Sequence, residues 1–168
     1  MTGSLVPDCA TCIRRARPAD AAVLTSLALT SKAVWGYDAG FMAACRAELT
    51  ITAPSILLRP THVLERHGET LGFYQLRIAG AVAEVAQFFI APATLRQGLG
   101  RRLWAHLEAT ARAAGATCLE VDGDPYAEGF YVAMGMRRVG EAPSGSIPGR
   151  MLPRLMKEMA QRGITSPA

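Results

Sequence analysis

The sequence predicts one α/β (α+β) domain built on a mixed, mostly antiparallel sheet of six to seven strands flanked by about four helices. The 168 residues suit one domain, and 50% of them are hydrophobic, which is enough for one core. Three β-rich runs follow one another with short glycine-containing turns, and this predicts an antiparallel meander. Helical patterns precede and follow the meander, so the predicted order is β-α-α-β-β-β-α-β-α-β-β.

The first part of the chain predicts a strand followed by two helices. Apolar residues recur at helical spacing after Pro18, and Gly36 interrupts this pattern. The predicted elements are a loose leader over 1–10, a short strand over 12–17, a first helix from Pro18 to Gly36, a second helix over 37–49, and a turn or irregular strand start between Pro54 and Pro60.

The rest of the chain predicts the meander and then alternating helices and strands. Pro92 ends the third meander strand, Gly115 is a natural residue to end a helix, and Pro125 fits the first turn of another. The predicted elements are strands over 61–67, 71–78 and 81–90, a helix over 98–114, a strand over 117–123, a short helix over 125–135, a strand over 136–142, a loop over 143–149, and a final strand or mixed element over 150–160.

Charge and hydrophobicity disfavour several classes of protein. The chain has 18 Lys+Arg against 14 Asp+Glu, a net charge of +4, and its basic residues form short scattered clusters. Such a distribution is typical of a solvated surface, so we do not expect nucleic acid as a partner. No apolar run approaches the ~20 residues that span a bilayer, and the first residues lack an apolar signal-peptide core. We therefore expect a cytoplasmic protein with no membrane partner.

Four cysteines are present, and two of them, Cys9 and Cys12, form a C-x-x-C motif. Such a pair can mark zinc or redox chemistry. A structural zinc site needs two further ligands at workable spacing, and the three histidines offer no second compact pair. We therefore expect no metal, and interpret the motif as a coincidence near a disordered N-terminus. Without an export signal, reduced thiols are expected.

The stretch Leu95–Gly100, LRQGLG, lies where a predicted strand gives way to a helix. It is not a P-loop, which needs G-x-x-x-x-G-K-S/T, nor a G-x-G-x-x-G fingerprint, because Leu103 occupies the third glycine position. The first turn of a helix offers free N–H groups that bind anions, and Gly98 and Gly100 leave that backbone bare. Nearby positive charge comes from Arg96, Arg101 and Arg102. The pattern predicts a phosphate site, with a plain strand-to-helix turn as the alternative.

In its context this loop resembles the GNAT superfamily, the acetyl-coenzyme-A-dependent N-acyltransferases. LRQGLG matches the family's Q/R-x-x-G-x-G/A loop at both glycines and departs from it at Leu95. The segment EGFYVAMGMRRVG, residues 128–140, is similar to the family's F-Y-x-x-x-G-F segment, with Met136 in the usual aromatic position. The spacing from Gly100 to Tyr131 suits one helix, one strand and a short helix, and the predicted element order is the GNAT order.

The resemblance implies transfer of an acetyl group from acetyl-CoA to a primary amine by direct attack in a ternary complex. It further implies that two strands splay apart beside the loop and that the cofactor enters between them. The implied cofactor-binding residues are Phe88, Phe89, Ile90, Leu95, Arg96, Gln97, Gly98, Leu99, Gly100, Arg101, Asp124 and Tyr131. For Asp124, capping of the following helix is the alternative.

Two catalytic residues are also implied. Tyr131 aligns with the tyrosine that many GNAT enzymes use as general acid, and the leaving thiolate, with a parent pKa near ~8.5, benefits from such a donor. Glu84 lies at the offset from the loop at which histone acetyltransferases of this superfamily place their general base. The alternatives are a tyrosine packed in a helix and an outward-facing glutamate on a strand.

The acceptor side is expected in the segment 31–41, SKAVWGYDAGF, which joins the first two helices. Trp35, Tyr37 and Phe41 are candidates to line an apolar slot, and Asp38 to hold a cationic amine. Alternatively the aromatic residues belong to the core and Asp38 caps a helix. The expected acceptor is a small-molecule or peptide amine, and a homodimer stays open. A non-catalytic acyl-CoA sensor on the same fold is the alternative function.

Overall fold

A single seven-stranded sheet organises residues 11–160, which are the residues that the computed structural model describes. The strands are β1 Cys12–Arg15, β2 Thr61–Arg66, β3 Glu69–Ala79, β4 Val82–Ile90, β5 Cys118–Asp122, β6 Arg137–Pro143 and β7 Met151–Glu158. The helices are α1 Ala21–Ala33, α2 Ala39–Leu49, α3 Ala53–Leu58, α4 Leu99–Ala113 and α5 Glu128–Ala133.

The strands lie in the order β1-β2-β3-β4-β5-β7-β6. Every neighbouring pair is antiparallel except β4 and β5, which run parallel because α4 carries the chain back between them. The predicted mixed, mostly antiparallel sheet and the predicted order of its main elements are therefore confirmed. The final element is a strand, β7, and it pairs with both β5 and β6. The leader and Cys9 lie outside the described residues.

Helices cover both faces of the sheet and divide the core into two clusters. On one face, α4 buries Leu103, Leu107 and Ala111, four residues apart along a single helical stripe, against β3 and β4. On the other face, α1 buries Leu24 and Ala28 in a cluster with residues of α2, α3, β2 and β3. The two layers therefore pack against opposite faces of β4.

The pairing of β4 with β5 stops after three residues. The pairs run from Val82↔Cys118 to Glu84↔Glu120, and within residues 11–160 the remainder of β4 has no strand partner on that side. A bulge at Ala86, where β4 shifts its register against β3, bends the strand just beyond the last pair. The two parallel strands therefore diverge, as the family resemblance implied, and leave a gap in the sheet.

One short helix was not predicted. The stretch between Pro54 and Pro60 contains α3, where the sequence predicted a turn or irregular strand start. Thr52 accepts a hydrogen bond from the N–H of Ser55 at 3.2 Å, and Ser55 reciprocates, so the helix begins with a capping box. Pro54 lies in the first turn, where its missing N–H costs no bond. None of the described helices is long and apolar enough to cross a membrane.

Candidate active site

A cleft of about 820 Å³ occupies the gap between β4 and β5. It is bounded by the first turn of α4, by α5, by the end of α1 with the loop after it, and by the β6–β7 loop. This volume lies at the upper end of the range for ligand pockets, so a nucleotide-sized molecule fits. Within residues 11–160, no group of three or more His, Cys, Asp or Glu is arranged to hold a metal.

The first turn of α4 forms one end of the cleft. Gly98 is the N-cap residue with φ +77°, a left-handed conformation that favours glycine, and Arg96 also has a positive φ of 62°. A side chain at Gly98 would meet no atom within 4 Å, so the backbone there is open to the cleft. At Gly100 an added Cβ would lie 3.1 Å from the ring of Phe130. The second glycine therefore also allows close packing of α4 against α5.

Most of the predicted cofactor-binding residues line this cleft. They are Phe88, Phe89, Ile90, Leu95, Arg96, Gly98, Gly100, Arg101, Asp124 and Tyr131. The side chains of Gln97 and Leu99 do not line it, and Leu99 is buried in the core. Arg102 is directed elsewhere, since its guanidinium donates to the carbonyl of Thr11. Two arginines of the cluster, Arg96 and Arg101, thus remain beside the open helix end, where the cleft geometry suits an anion.

The backbone of β4 presents alternate residues to the gap. The N–H of Ala91 donates to the carbonyl of Leu71 on β3 at 2.8 Å. Because hydrogen-bonded and non-bonded pairs alternate in an antiparallel ladder, Phe89 also bonds to β3, whereas Phe88 and Ile90 direct their N–H and C=O groups toward the cleft. The carbonyl of Ile90 accepts a bond from Ser31 Oγ at 2.9 Å. The other cleft-facing groups of this edge have no strand partner in the part of the chain that the structure describes.

Tyr131 is buried on α5 and its ring lies in the wall of the cleft. The ring packs over Gly123, where an added Cβ would lie 2.9 Å from Tyr131 Cε2, and its centroid lies 5.8 Å from that of Trp104. Its hydroxyl has no hydrogen-bond partner within residues 11–160. Burial, and secondarily the charge of Asp124, raises the pKa of Tyr131, so the phenol stays protonated at neutral pH.

Glu84 lies outside the cleft. Its carboxylate pairs with Arg77 across β3 and β4 on a solvent-exposed part of the sheet. It stands among the last paired residues of β4 and β5, before the strands diverge. This placement corresponds to the outward-facing alternative, and the structure does not support Glu84 as the general base.

Asp124 follows β5 and contacts side chains from α1, from the loop after α1 and from the β6–β7 loop. Its carboxylate accepts hydrogen bonds from Lys32 at 3.0 Å, from Tyr37 at 2.9 Å and from the N–H of Tyr126 at 3.0 Å, and Arg150 lies at 3.4 Å. Burial acts to raise the pKa of Asp124, but the bonds from Tyr126 and Lys32 outweigh it and the pKa is lowered. Asp124 therefore caps the turn after β5, the alternative role, and also organises the site.

Of the predicted acceptor residues, some line the cleft and others pack beside it. Trp35 lines the cleft and stacks on Tyr126 with ring centroids 5.2 Å apart. Tyr37 and Phe41 stack on each other at 4.0 Å behind the wall. Asp38 caps α2 by accepting from the N–H of Phe41 at 2.8 Å, so it has the structural role that the sequence left open.

The charged residues that line the cleft include Lys32, Glu48 and Arg150, none of which was predicted. Lys32 and Arg150 meet at Asp124 although they are far apart in the sequence, and no local motif marks them. Glu48, at the end of α2, accepts a hydrogen bond from Ser146 of the β6–β7 loop. It is the cleft carboxylate with no cation within 4 Å among the described residues, since Asp122 pairs with Arg154.

A family model described as an acetyltransferase (GNAT) domain matches residues 59–144, half of the chain. The chain belongs to the GNAT acetyltransferase family. The matched GNAT segment runs from the start of the meander through β6 and includes the LRQGLG loop and Tyr131. Membership makes the chain an acetyltransferase domain whose acyl donor is acetyl-CoA, as the sequence predicted. The search of curated proteins found no match.

Solved structures of other GNAT proteins share the fold over most of their length. A GCN5-related N-acetyltransferase from Rhodopseudomonas palustris is 22% identical with a TM-score of 0.73, covering 89% of this chain and 96% of that one. The PaiA N-acetyltransferase from Thermoplasma acidophilum, solved with coenzyme A, is 16% identical with a TM-score of 0.73, covering 89% and 99%. The ribosomal-protein-S18-alanine N-acetyltransferase from Escherichia coli is 16% identical with a TM-score of 0.67, covering 95% and 100%.

Proposed function

We propose that this protein transfers an acetyl group from acetyl-CoA to a primary amine by direct attack, with both substrates bound together in the cleft. The observation that carries the proposal is the continuous cleft that joins the open helix end at Gly98 to the buried phenol of Tyr131. Acetyl-CoA supplies the reactive thioester, and no covalent enzyme intermediate is needed. The remaining steps are assigned to side chains and backbone groups of the chain itself.

The binding of the cofactor falls to backbone groups in two places. The free N–H groups of the first turn of α4, with Arg96 and Arg101 beside them, are suited to the diphosphate. The cleft-facing N–H and C=O groups of β4 at Phe88 are suited to the amides of the pantetheine arm. A free N–H on this edge is also the type of donor that stabilises charge on a thioester oxygen during attack.

Proton movement is assigned to Tyr131 and Glu48. Tyr131 is protonated, lines the cleft and has an uncommitted hydroxyl within the described residues, which suits a donor to the leaving thiolate. Glu48 lines the same cleft and has no paired cation among residues 11–160, so it can receive the proton of the attacking amine directly or through water. It replaces Glu84 in this role because Glu84 lies outside the cleft.

Calorimetry with coenzyme A tests the cofactor site. Two variants at one position distinguish the contribution of the backbone N–H from that of the side-chain charge. Arg101→Ala removes the guanidinium. Arg101→Pro also removes an N–H in the first helical turn, where proline is tolerated. Arg101→Pro should bind coenzyme A ~10-fold more weakly than Arg101→Ala, as expected for one charge-assisted hydrogen bond. If the two variants bind coenzyme A with equal affinity and their melting curves are unchanged, the helix end is not part of the cofactor site.

Thiol release on addition of amines tests the reaction and separates a transferase from an acyl-CoA sensor. Tyr131→Phe should lower kcat by ~10²-fold and leave the affinity for coenzyme A unchanged. Tyr74→Phe is the matched control, because it removes another buried phenol that bonds to Thr110 at 2.8 Å outside the cleft. An undiminished kcat in Tyr131→Phe would exclude Tyr131 as the acid.

A further inference from the structure

One partly buried cluster in the acceptor part of the cleft contains more positive than negative charge. We call Lys32, Tyr37, Asp124 and Arg150 the Asp124 cluster. The side chains of Lys32, Asp124 and Arg150 are 14%, 13% and 17% exposed, so water screens these charges only partly. Two cations face one carboxylate, which leaves one unbalanced positive charge in the wall of the cleft.

The carboxylate of this cluster has no capacity left for a substrate cation. One oxygen of Asp124 accepts from the N–H of Tyr126 at 3.0 Å, and the other accepts from Lys32 at 3.0 Å, with Arg150 at 3.4 Å. The one O–H of Tyr37 lies 3.0 and 2.9 Å from these two oxygens and is shared between them. An incoming ammonium would have to displace a lysine or an arginine that is already desolvated. The cluster is therefore closed to cationic groups.

Arg150 keeps free donors in this arrangement. Its Nη2 donates to Tyr37 at 2.7 Å, while Nε and Nη1 have no acceptor within residues 11–160. These two nitrogens carry three N–H groups. The guanidinium is held over the rings of Tyr37 and Phe41, at 5.2 and 4.8 Å from their centroids, so its orientation is fixed before any ligand arrives. A partly buried guanidinium with open donors is suited to a carboxylate.

We propose that the acceptor of this enzyme carries a carboxylate near its amine, as an amino acid does, and that Arg150 receives that carboxylate. This inference rests on the proposed function. Lys32 supplies the second positive charge, held at 5.4 Å from the ring of Tyr37. Glu48, the cleft carboxylate without a paired cation, offers the complementary partner for the amine. A polycationic acceptor is disfavoured because the cluster already carries excess positive charge.

The test compares matched acceptors that differ in the carboxylate alone. Glycine and each L-amino acid with a primary α-amine are assayed by thiol release beside the carboxamide and the decarboxylated amine, all at fixed acetyl-CoA. At least one amino acid should exceed its amide and amine by ~10- to 100-fold in kcat/KM, the range expected for a charge-assisted contact. In Arg150→Gln that preference should fall by the same factor, chiefly through KM, with the affinity for coenzyme A unchanged.

Three further variants make the result specific. Arg150→Lys keeps the charge without the fork of donors and should retain part of the preference. Tyr37→Phe removes the hydroxyl that orients Arg150 and should weaken the preference less than Arg150→Gln. Arg137→Gln is the matched control, because this exposed arginine of β6 pairs with Glu158 at 3.9 Å outside the cleft and its loss should change nothing.

The outcomes separate the two proposals. If coenzyme A does not bind, the proposed function fails. If coenzyme A binds and the best acceptors are amides, simple amines or polyamines, the carboxylate inference is overturned while the acetyltransferase stands. The inference is equally overturned if no amino acid is acetylated, or if the preference for carboxylates survives in Arg150→Gln.

Discussion

Acidification should destabilise the protein through His62, a residue remote from the cleft. His62 lies on β2 with its ring stacked on Tyr74 at 5.2 Å and 4.7 Å from the ring of His106. Its Nδ1 is buried without a hydrogen-bond partner among the described residues. Burial lowers the pKa of His62 to about 4, and the nearby His106 and Arg15 act in the same direction. The neutral ring is therefore part of the folded state.

The sign and size of the effect follow from this pKa. Because the folded pKa of about 4 lies below the unfolded value of 6.5, the unfolded chain binds the proton first as the pH falls. The stabilisation is complete above pH ~6.5 and is lost progressively as the pH falls toward ~4. Between pH 8 and pH 5.5, His62 alone should remove at most about 1.4 kcal/mol from the free energy of unfolding, and partial exposure reduces this value.

Urea unfolding at the two pH values, with matched variants, measures this quantity. His62→Phe keeps a ring for Tyr74 to stack on and removes the titration, so its free energy of unfolding should depend less on pH by about 1 kcal/mol. The burial of His106 also lowers its pKa, so a smaller dependence of the same sign should remain. His67→Asn is the control, since His67 lies in a turn with a positive φ of 53° that asparagine also adopts.

Two results would refute this reasoning. One is an NMR titration in which the imidazole of His62 protonates near the unperturbed value of ~6.5. The other is a pH dependence of stability that is the same in His62→Phe as in the unmodified protein. Either result would mean that the ring reaches water in solution, and that its surroundings on β2 and α4 open more readily than the packing indicates.

Three further predictions concern the cleft. Glu48→Gln should lower kcat at neutral pH and make activity rise more steeply with pH, whereas a comparable loss only in Glu84→Gln would restore the base that the sequence predicted. Gly123→Ala places a Cβ 2.9 Å from the ring of Tyr131, so kcat should fall more than the affinity for coenzyme A does, as kinetics and calorimetry will show. Gly98→Ala forces alanine to a φ of +77°, which should cost about 1–2 kcal/mol of stability in urea unfolding.

The sequence predicted the fold well because the relevant signals are local. Alternating runs separated by glycine turns define the meander, and glycines at 98 and 115 bracket the helix that became α4. The loop at 95–100 and the segment around Tyr131 are contiguous motifs, and both line the cleft. Local patterns of this kind predict structure reliably because they depend on the backbone conformation of only a few neighbouring residues.

The acceptor site was less predictable because its contacts are not local. Lys32 and Asp124 are 92 residues apart, and Arg150 and Tyr37 are 113 apart, so no spacing in the sequence links them. The placement of Glu84 depends on a single extra residue. The bulge at Ala86 shifts the alternation of β4, so Glu84 shares a face with Phe89 rather than with Phe88.

The glycines around the cleft also connect its two functional ends. The left-handed backbone at the start of α4 favours glycine at position 98, whereas Gly100 and Gly123 leave room for the rings of Phe130 and Tyr131 on α5. Phe130 in turn stacks on Phe88 of β4 at 5.2 Å. The helix end proposed for the diphosphate and the phenol proposed as the acid are therefore positioned by one packed unit. Replacing Gly100 or Gly123 by a larger residue should therefore alter both the helix end and the position of the phenol.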